Sequence, residues 1–282
     1  MFRIEAKKML NNATVQLKIA AAQIAVKVKP GQFIMLKIDQ KGERIPLTVA
    51  DYDRVNGTID VIVQMVGYST IQLASLEVGD YILDVIGPLG VPTELDGYSK
   101  VMVIGGGVGC AIAYPQAKYL YNTGVDVSVI AGFRTKDLVI LEDEMKAVSK
   151  ELFITTDDGT YMEKGFVTTK LEALIQAGVQ YDLVIAIGPV VMMKAVAAVT
   201  KQYDIKTIVS LNPIMIDGTG MCGGCRVIVG GKVKFACVDG PDFDAHEVDF
   251  DILMRRNAAY RGQEQIDYEH ACRIFSTNEV TI

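Results

Sequence analysis

The sequence predicts a β plus α/β fold, in which an antiparallel β-barrel precedes a doubly wound α/β domain and a small C-terminal lobe. Short runs of alternating hydrophobic residues fill the first third of the 282-residue chain, and strand-like and helix-like runs alternate through the second third. Three of the five cysteines then follow within residues 222–237. These observations assign residues 1–97 to the barrel, 98–210 to the α/β domain and 211–282 to the lobe.

The first segment has the period-two pattern of β-strands. Hydrophobic residues alternate in TVQLKIA and GTIDVIVQMVG, and further short runs are FIMLKI, PLTVADYD and YILDVIGP. Gly, Pro, Asp and Asn separate the runs and mark turns. Strands at this spacing indicate an antiparallel barrel or sandwich.

The second segment begins with KVMVIGGGVG, whose continuous apolar run is typical of a strand buried on both faces of a parallel sheet. The helix-like stretch CAIAYPQAKYLYNTG follows and ends at Gly124. Strands and helices alternate onward, including a helix signal in KDLVILEDEMKAVS, until about Leu211. This alternation predicts the doubly wound sheet.

Composition excludes several classes of protein. The net charge of −6 argues against nucleic-acid or anionic-membrane partners, which select a basic surface. No uninterrupted apolar run approaches the ~18 residues of a membrane span, and the first residues lack the apolar core of a secretory signal. We therefore expect a cytoplasmic protein, in which clustered cysteines bind metal or perform redox chemistry more often than they form disulfides.

A glycine-rich loop follows the first strand of the α/β segment and opens its first helix. It comprises Gly105, Gly106, Gly107, Val108 and Gly109. Glycines permit a tight turn and close approach of a pyrophosphate, and a helix N-terminus offers N–H groups to it. The loop is not the full spaced dinucleotide fingerprint, and no acidic residue stands at the expected place after the second strand. A glycine-rich turn without a ligand is the alternative.

Two later strands end in glycine at what we expect to be the same edge of the sheet. Gly132 precedes Arg134 in AGFRTKDL, and Gly188 precedes Pro189 in IGPVVMM. Ligands of open α/β sheets bind beyond the carboxyl ends of the strands, and Gly105 would share this edge. Arg134 either meets a phosphate or ribose or is solvated on a loop.

The C-terminal cysteines have the spacing of an iron–sulfur site. Asp217, Cys222, Cys225 and Cys237 form D-x4-C-x2-C-x11-C, which is the plant-type C-x4-C-x2-C…C pattern with aspartate in the first position. Structural zinc usually takes two ligand pairs, and only one pair is present. Asp217 is either the fourth ligand or an Asp-Gly turn residue.

The remaining candidate residues are isolated cysteines and histidines and a set of residues in the barrel segment. No other cysteine stands at a metal-ligand spacing from Cys110 or Cys272, so both are expected to be packed thiols. His246 and His270 are expected at the surface. In the barrel segment, an arginine and hydroxyl-bearing residues at turns suit a phosphate, although plain loops have the same composition. These barrel residues are Arg44, Thr48, Gly67, Ser69 and Thr70.

The order of barrel, nucleotide domain and cluster segment resembles the ferredoxin–NADP+ reductase superfamily. The motifs GERIPLTVADYD, VIGGGVG, AGFRTKDL, IGPVVMM and DGTGMCGGCRVIVGGKVKFACVDGP carry the resemblance over nearly the whole chain. The branch is that of the electron-transfer subunits of dihydroorotate dehydrogenase and the small subunits of NADH-dependent ferredoxin:NADP+ oxidoreductase. The dihydroorotate branch has cysteine at the position of Asp217, so the resemblance favours the second group and Asp217 as a ligand.

The resemblance implies three cofactors: FAD in the barrel, NAD(H) in the α/β domain and a [2Fe–2S] cluster in the lobe. FAD would contact Arg44, Pro46, Leu47, Thr48, Val63, Gly67, Ser69 and Thr70. The superfamily pattern Arg-x-aromatic-Ser/Thr would put its arginine at Ile45, one residue after Arg44, and its aromatic residue at Leu47. Thr48 stands at the Ser/Thr position of the pattern, so the resemblance implies it as a contact of FAD.

The implied activity is electron transfer without a catalytic acid or base. NADH would reduce the flavin by two electrons, and the cluster would pass single electrons to a larger flavin and iron–sulfur subunit in a heterodimer. With ferredoxin, such a complex performs flavin-based electron bifurcation. The alternatives are an electron-transfer subunit of dihydroorotate dehydrogenase, a sulfide or polysulfide oxidoreductase subunit, and a zinc- or nucleotide-binding regulatory module.

Overall fold

The computed structural model describes residues 1–276, with side chains for residues 1–260 and 262–269. The expectations for His270 and Cys272 lie outside the described side chains. No helix within this described part combines the length and apolar character that a membrane crossing requires.

The first segment forms one seven-stranded antiparallel sheet that curls into a nearly closed barrel. Its order is β6-β1-β2-β5-β4-β3-β7. The strands are β1 (Phe2–Asn11), β2 (Thr14–Ala20), β3 (Phe33–Lys37), β4 (Arg44–Asp53), β5 (Thr58–Gln64), β6 (Tyr81–Ile82) and β7 (Asp84–Leu89), with helices α1 (Ala22–Lys27) and α2 (Tyr68–Ser75). Ile4, Leu17, Ile34 and Ile59 are fully buried in the barrel core. The barrel prediction is confirmed.

The second segment forms the predicted parallel sheet. Its strands are β8 (Lys100–Gly106), β9 (Asp126–Phe133), β10 (Glu151–Thr156), β11 (Glu163–Lys164), β12 (Leu183–Ile187) and β13 (Thr207–Ser210), and its helices are α3 (Gly109–Asn122), α4 (Glu142–Ala147), α5 (Val167–Gln176) and α6 (Val190–Gln202). The stretch KDLVILEDEMKAVS is not one helix. It forms a 3-10 turn at Lys136–Leu138 and then α4, because Leu141 has a left-handed φ of 58° that interrupts the helix.

The C-terminal segment contains β14 (Arg226–Val229), β15 (Lys232–Phe235), α7 (Ala236–Asp239), β16 (Asp242–Asp244), α8 (Phe250–Asn257) and α9 (Arg261–Ser276). β14 and β15 form a hairpin. β16 pairs antiparallel with β13, which extends the sheet to β11-β10-β9-β8-β12-β13-β16. The segment after residue 210 therefore supplies an edge strand of the α/β sheet and the stretch 216–237, which carries Cys222, Cys225 and Cys237, includes the hairpin β14–β15 and is called the cysteine loop below.

Barrel, sheet and cysteine loop meet at one junction. The backbone N–H of Val91, in the connection after β7, donates to the carbonyl oxygen of Gly240 at 2.7 Å. Phe33 and Met35 of β3 belong to the same hydrophobic cluster as Cys225 and Cys237. This shared core fixes the cysteine loop against the barrel.

Candidate cofactor and cluster site

The glycines that were predicted to share one sheet edge are neighbours in the structure. Gly106 on β8 pairs with Gly132 on β9, and Gly105 pairs with Ile187, which immediately precedes Gly188. The N–H of Gly107 donates to the carbonyl oxygen of Gly132 at 2.8 Å. The edge lies at the carboxyl ends of three adjacent parallel strands, where open α/β sheets bind ligands.

Most of these glycines are required by packing, and one faces open space. A Cβ on Gly109 would lie 2.3 Å from the carbonyl oxygen of Ile187, and one on Gly105 would lie 2.6 Å from Cys110 Sγ. Gly107 has a φ of +55° and no atom within 4 Å of an added Cβ. The loop therefore has the shape of a cradle, because tight packing holds its two sides while Gly107 leaves its backbone open to a ligand.

The other residues predicted on this edge differ in exposure. Arg134 is exposed just beyond β9. Pro189 precedes α6, and its carbonyl oxygen accepts hydrogen bonds from the N–H groups of Met192 and Met193 at 2.9 and 3.0 Å. A Cβ on Gly188 would lie 3.1 Å from Gly106 Cα, so this turn also depends on close backbone approach. Contact of Arg134 with a phosphate or ribose, and its solvation on a loop, both stay predictions.

The predicted barrel residues gather where β4 begins beside α2. Ser69 Oγ donates to Glu43 Oε1 at 2.6 Å and thereby links α2 to the residue that precedes β4. VGYST is the start of a helix rather than a plain turn. Thr70 Oγ1 accepts hydrogen bonds from the N–H groups of Val66 and Gly67 at 3.0 Å, which caps this helix start. The sequence indicated the hydroxyls but not the helix.

Arg44 is held with part of its guanidinium unpaired. Its Nη2 lies 2.7 Å from Asp84 Oδ2, whereas its Nη1 is buried and has no hydrogen-bond partner among the described residues. A buried, unpaired donor carries a desolvation cost that an anionic group can relieve. Ile45 and Leu47 pack against the barrel core, so the shifted arginine is the cationic residue of this motif.

Pro46, Thr48 and Val63 complete the predicted barrel set. Pro46 pairs with Met35 and Thr48 with Phe33 across β3 and β4. The Val63 side chain is 1% exposed in the barrel core, which leaves only its backbone for a ligand.

The cysteine loop brings two of its three thiols together. Cys225 Sγ and Cys237 Sγ are 3.2 Å apart and buried, and the N–H of Cys237 points at Cys225 Sγ at 3.5 Å. Cys222 is exposed, and its Sγ accepts from the N–H of Gly224 at 3.4 Å. Burial raises the pKa of the Cys237 thiol to about 12, with the neighbouring Cys225 as the next cause.

Asp217 lies beside the thiols as a turn residue. Its Oδ1 accepts from the N–H of Thr219 at 2.6 Å, and its Oδ2 accepts from the N–H of Cys222 at 2.7 Å. The hydrogen bond from Thr219 is the main cause that lowers the pKa of this carboxyl. No group of three or more His, Cys, Asp or Glu side chains converges on one metal position within the described part of the chain. The structure therefore shows the turn role of Asp217, and ligation by it stays a prediction.

The donor set nevertheless fits an iron–sulfur cluster. Three thiols in one loop, two of them in contact, are the soft ligands that such clusters take. Backbone N–H groups already point at two of the sulfurs. Gly218, with a φ of +77°, allows the loop to turn where a Cβ would lie 2.6 Å from Met35 Cγ and 3.1 Å from Leu89 Cδ1.

Two expectations about isolated residues have different outcomes. Cys110 is fully buried, which confirms a packed thiol, and burial raises its pKa to about 12. His246 is half-buried rather than at the open surface, because its Nε2 lies 3.0 Å from Oγ1 of the buried Thr200 on α6. The expectation therefore holds for only part of the side chain, because the 3-10 turn carrying His246 packs on α6.

Comparison with known proteins agrees with this arrangement. Residues 212–249 match the family described as the iron–sulfur cluster binding domain of dihydroorotate dehydrogenase B. A Thermotoga maritima relative, named dihydroorotate dehydrogenase B (NAD(+)) electron transfer subunit homolog, is 43% identical over 279 residues, with 96% of this chain and 98% of the relative covered. The dihydroorotate dehydrogenase B (NAD(+)) electron transfer subunit of Geobacillus thermodenitrificans is 34% identical over 254 residues, with 87% and 96% covered. The chain belongs to the dihydroorotate dehydrogenase B electron-transfer subunit family.

Solved structures extend the comparison. One from a study of flavin-based electron bifurcation in the NADH-dependent reduced ferredoxin-NADP oxidoreductase is 44% identical with a TM-score of 0.90, covering 96% of this chain and 97% of that chain. The Amycolatopsis cytochrome P450 reductase shares the fold at 18% identity and a TM-score of 0.61, with 71% of this chain and 65% of that chain covered.

Family membership confirms the prediction of an oxidoreductase electron-transfer subunit, and the solved structures confirm the ferredoxin-reductase-like fold. The chemistry of the family is that of a flavin and iron–sulfur protein linked to NAD(H). The cluster type, the individual site residues and the predicted domain boundaries are not decided by these comparisons and stay predictions.

Proposed function

We propose that the chain is the electron-transfer subunit of an NADH-dependent ferredoxin:NADP+ oxidoreductase, with FAD, a [2Fe–2S] cluster and an NAD(H) site. The contact of Gly218 with Met35 carries the proposal. Met35 pairs with Pro46, so the loop of the proposed cluster contacts β3, the strand that pairs with the strand of the proposed flavin. Short separation is what electron transfer between the two groups requires.

Each cofactor has a set of residues that would hold it. Arg44, with its unpaired Nη1, and the hydroxyls of α2 would bind the FAD diphosphate, and the cradle around Gly107 would bind the nicotinamide nucleotide. Asp217, Cys222, Cys225 and Cys237 would hold the cluster. A bound flavin accepts two electrons and releases them singly, and a bound cluster takes one. The buried Phe33 and Met35 keep water out between the two sites.

Exposed apolar side chains around the cysteine loop support a docked partner. Met221 is 89%, Ile216 60% and Val238 43% exposed, and all three flank the loop that carries the exposed Cys222. Apolar surface of this kind is typical of interfaces. A larger subunit seated here would receive electrons directly from the cluster.

A subunit of dihydroorotate dehydrogenase is the second candidate. The family match over residues 212–249 and the relatives with that name support it. Asp217 supports the first candidate, since the dihydroorotate branch has cysteine at this position. The two candidates share cofactors and differ in the partner.

Anaerobic purification with iron and flavin analysis tests the shared part. We expect one flavin and two irons per chain, and an EPR signal after NADH reduction that changes in Asp217→Cys. Cys222→Ser should lose iron, whereas Cys110→Ala, which removes a buried thiol outside the loop, should keep it. Zinc, or a colourless protein, would overturn the electron-transfer proposal.

Purification of the complex through a tag on this chain tests the partner. We expect a larger flavin and iron–sulfur subunit, and NADP+ reduction that depends on both NADH and reduced ferredoxin. Oxidation of dihydroorotate coupled to NAD+ would instead select the second candidate.

A further inference from the structure

Helix α8 forms a support behind the cysteine loop. Phe250 and Leu253 are buried in the same hydrophobic cluster as Cys225 and Cys237. Asn257 Nδ2 donates to the carbonyl oxygen of Asn212 at 3.2 Å, at the start of the segment that leads into the loop. The helix follows the matched segment 212–249, so the family comparison says nothing of it.

One side chain of this helix reaches the loop itself. Arg256 Nη2 donates to the carbonyl oxygen of Gly224 at 3.0 Å, and the arginine is partly buried. Gly224 stands between Cys222 and Cys225, and its own N–H points at Cys222 Sγ at 3.4 Å. The hydrogen bond therefore fixes the peptide that joins Gly224 to Cys225.

We propose that Arg256 is a positioning residue that locks the cluster-binding loop and raises the reduction potential of the cluster, an inference that rests on the proposed function. A fixed guanidinium charge favours the more negative, reduced form of a neighbouring redox group. Partial burial reduces the screening that weakens exposed charges. Residues outside the ligand set commonly set metal affinity and potential through such contacts.

Other charged side chains near the cysteine loop can be compared with Arg256. Arg226 lies near Gly223, since a Cβ added to Gly223 would be 3.9 Å from Arg226 Cδ, but the Arg226 side chain is exposed. Arg255 is the sequence neighbour of Arg256 on α8 and is exposed. Asp251, at the start of the helix, pairs with Lys194 of α6 at 2.7 Å. Among the described side chains, Arg256 is the cation that donates to the backbone between Cys222 and Cys225.

The test compares Arg256→Gln with Arg255→Gln, which makes the same charge change one residue away. Iron release to a chelator and EPR-monitored redox titration are measured on the anaerobically purified proteins. We expect Arg256→Gln to release iron about tenfold faster and to have a lower midpoint potential, and Arg255→Gln to match the wild type. Arg256→Lys should keep more of the potential than Arg256→Gln, because it keeps the charge.

Four outcomes would overturn the inference. Equal changes of iron release and midpoint potential in Arg255→Gln and Arg256→Gln would show a general effect of charge. Wild-type iron release and midpoint potential in an iron-containing Arg256→Gln would show that Arg256 has no positioning role, while the proposed function would stand. A wild-type protein without iron would overturn the proposed function as well. If Arg256→Gln does not fold, as judged by circular dichroism, Arg256→Met, which also removes the charge and the hydrogen-bond donors, carries the comparison, and wild-type iron release and potential in it would count against the inference.

Discussion

Gly218 of the cysteine loop lies directly on Met35 of the barrel. A Cβ at Gly218 would stand 2.6 Å from Met35 Cγ, and Met35 is fully buried. The contact joins two parts of the chain that are far apart in sequence, and it sets the distance between the loop and β3. Any side chain at position 218 must push the loop away from the barrel.

Gly218→Ala should therefore destabilise the protein and weaken its iron site. The left-handed φ of +77° adds about 1–3 kcal/mol of strain, and the clash adds about 1–3 kcal/mol. Gly231→Ala is the control, because Gly231 has a φ of +70° but no atom within 4 Å of the added Cβ. Denaturant unfolding and iron content measure both variants. Equal loss in the two would show that strain alone acts at Gly218.

In the iron-free protein, Cys222 should be alkylated more than about tenfold faster than Cys225, Cys237 and Cys110, since the thiolate is the reactive form and access is required. Cys222 is exposed, whereas the other three thiols are buried, and the pKa values of Cys237 and Cys110 are raised to about 12. Iodoacetamide labelling at pH 8 with peptide mass spectrometry measures the rates. Similar rates at Cys222 and Cys237 would mean that the loop opens without its cluster.

Local sequence patterns could predict the strands, the glycine edge and the thiol spacing. TVQLKIA corresponds to β2, and VIGGGVG does run from strand β8 into helix α3. These features follow from periodicity and from residue types that act within a few positions. Family resemblance then added the cofactors.

Contacts between distant segments could not be predicted in this way. The pairing of Arg44 with Asp84, the contact of Gly218 with Met35 and the hydrogen bond from Arg256 to Gly224 each join segments whose approach depends on the whole fold. The edge strand β16 could not be predicted for the same reason. Its three residues are too few to show a period-two pattern, and they form a strand because they pair with β13.

Lys118→Met should destabilise the contact between barrel and α/β domain by about 1 kcal/mol. Lys118 Nζ lies 2.7 Å from Asp51 Oδ2, across the interface of α3 and β4, and both side chains are about one-third exposed. Burial lowers the pKa of Lys118, but the hydrogen bond and charge of Asp51 outweigh it and hold the pKa above its ordinary value. Lys150→Met is the control, since its pair with Asp126 is 2.9 Å long with the lysine 62% exposed. Urea unfolding that ranks the two variants equally would contradict a special role of the interface pair.

Asp242 should make the protein less stable as pH rises above the acidic range. Its Oδ2 accepts from Thr93 Oγ1 and from Gln116 Nε2, while its Oδ1 is buried without a partner among the described residues. Burial raises the pKa of this carboxyl above its ordinary 3.8, so the folded state holds the proton over a range in which the unfolded state has lost it. The free energy of unfolding then falls with pH by up to about 1.4 kcal/mol per pH unit, from the ordinary pKa up to the raised one.

Asp242→Asn removes this titration while it keeps the shape of the side chain. The unfolding free energy of the wild type minus that of Asp242→Asn should therefore decrease as the pH is raised from about 4, and level off above the folded-state pKa. Urea unfolding of both proteins at a series of pH values between 4 and 8 measures the difference. Asp244→Asn, which changes an exposed carboxylate at the other end of β16, is the matched control for the loss of a carboxylate from this strand. A difference that grows with pH in Asp242→Asn would mean that the hydrogen bonds from Thr93 and Gln116 stabilise the ionised form more than burial opposes it.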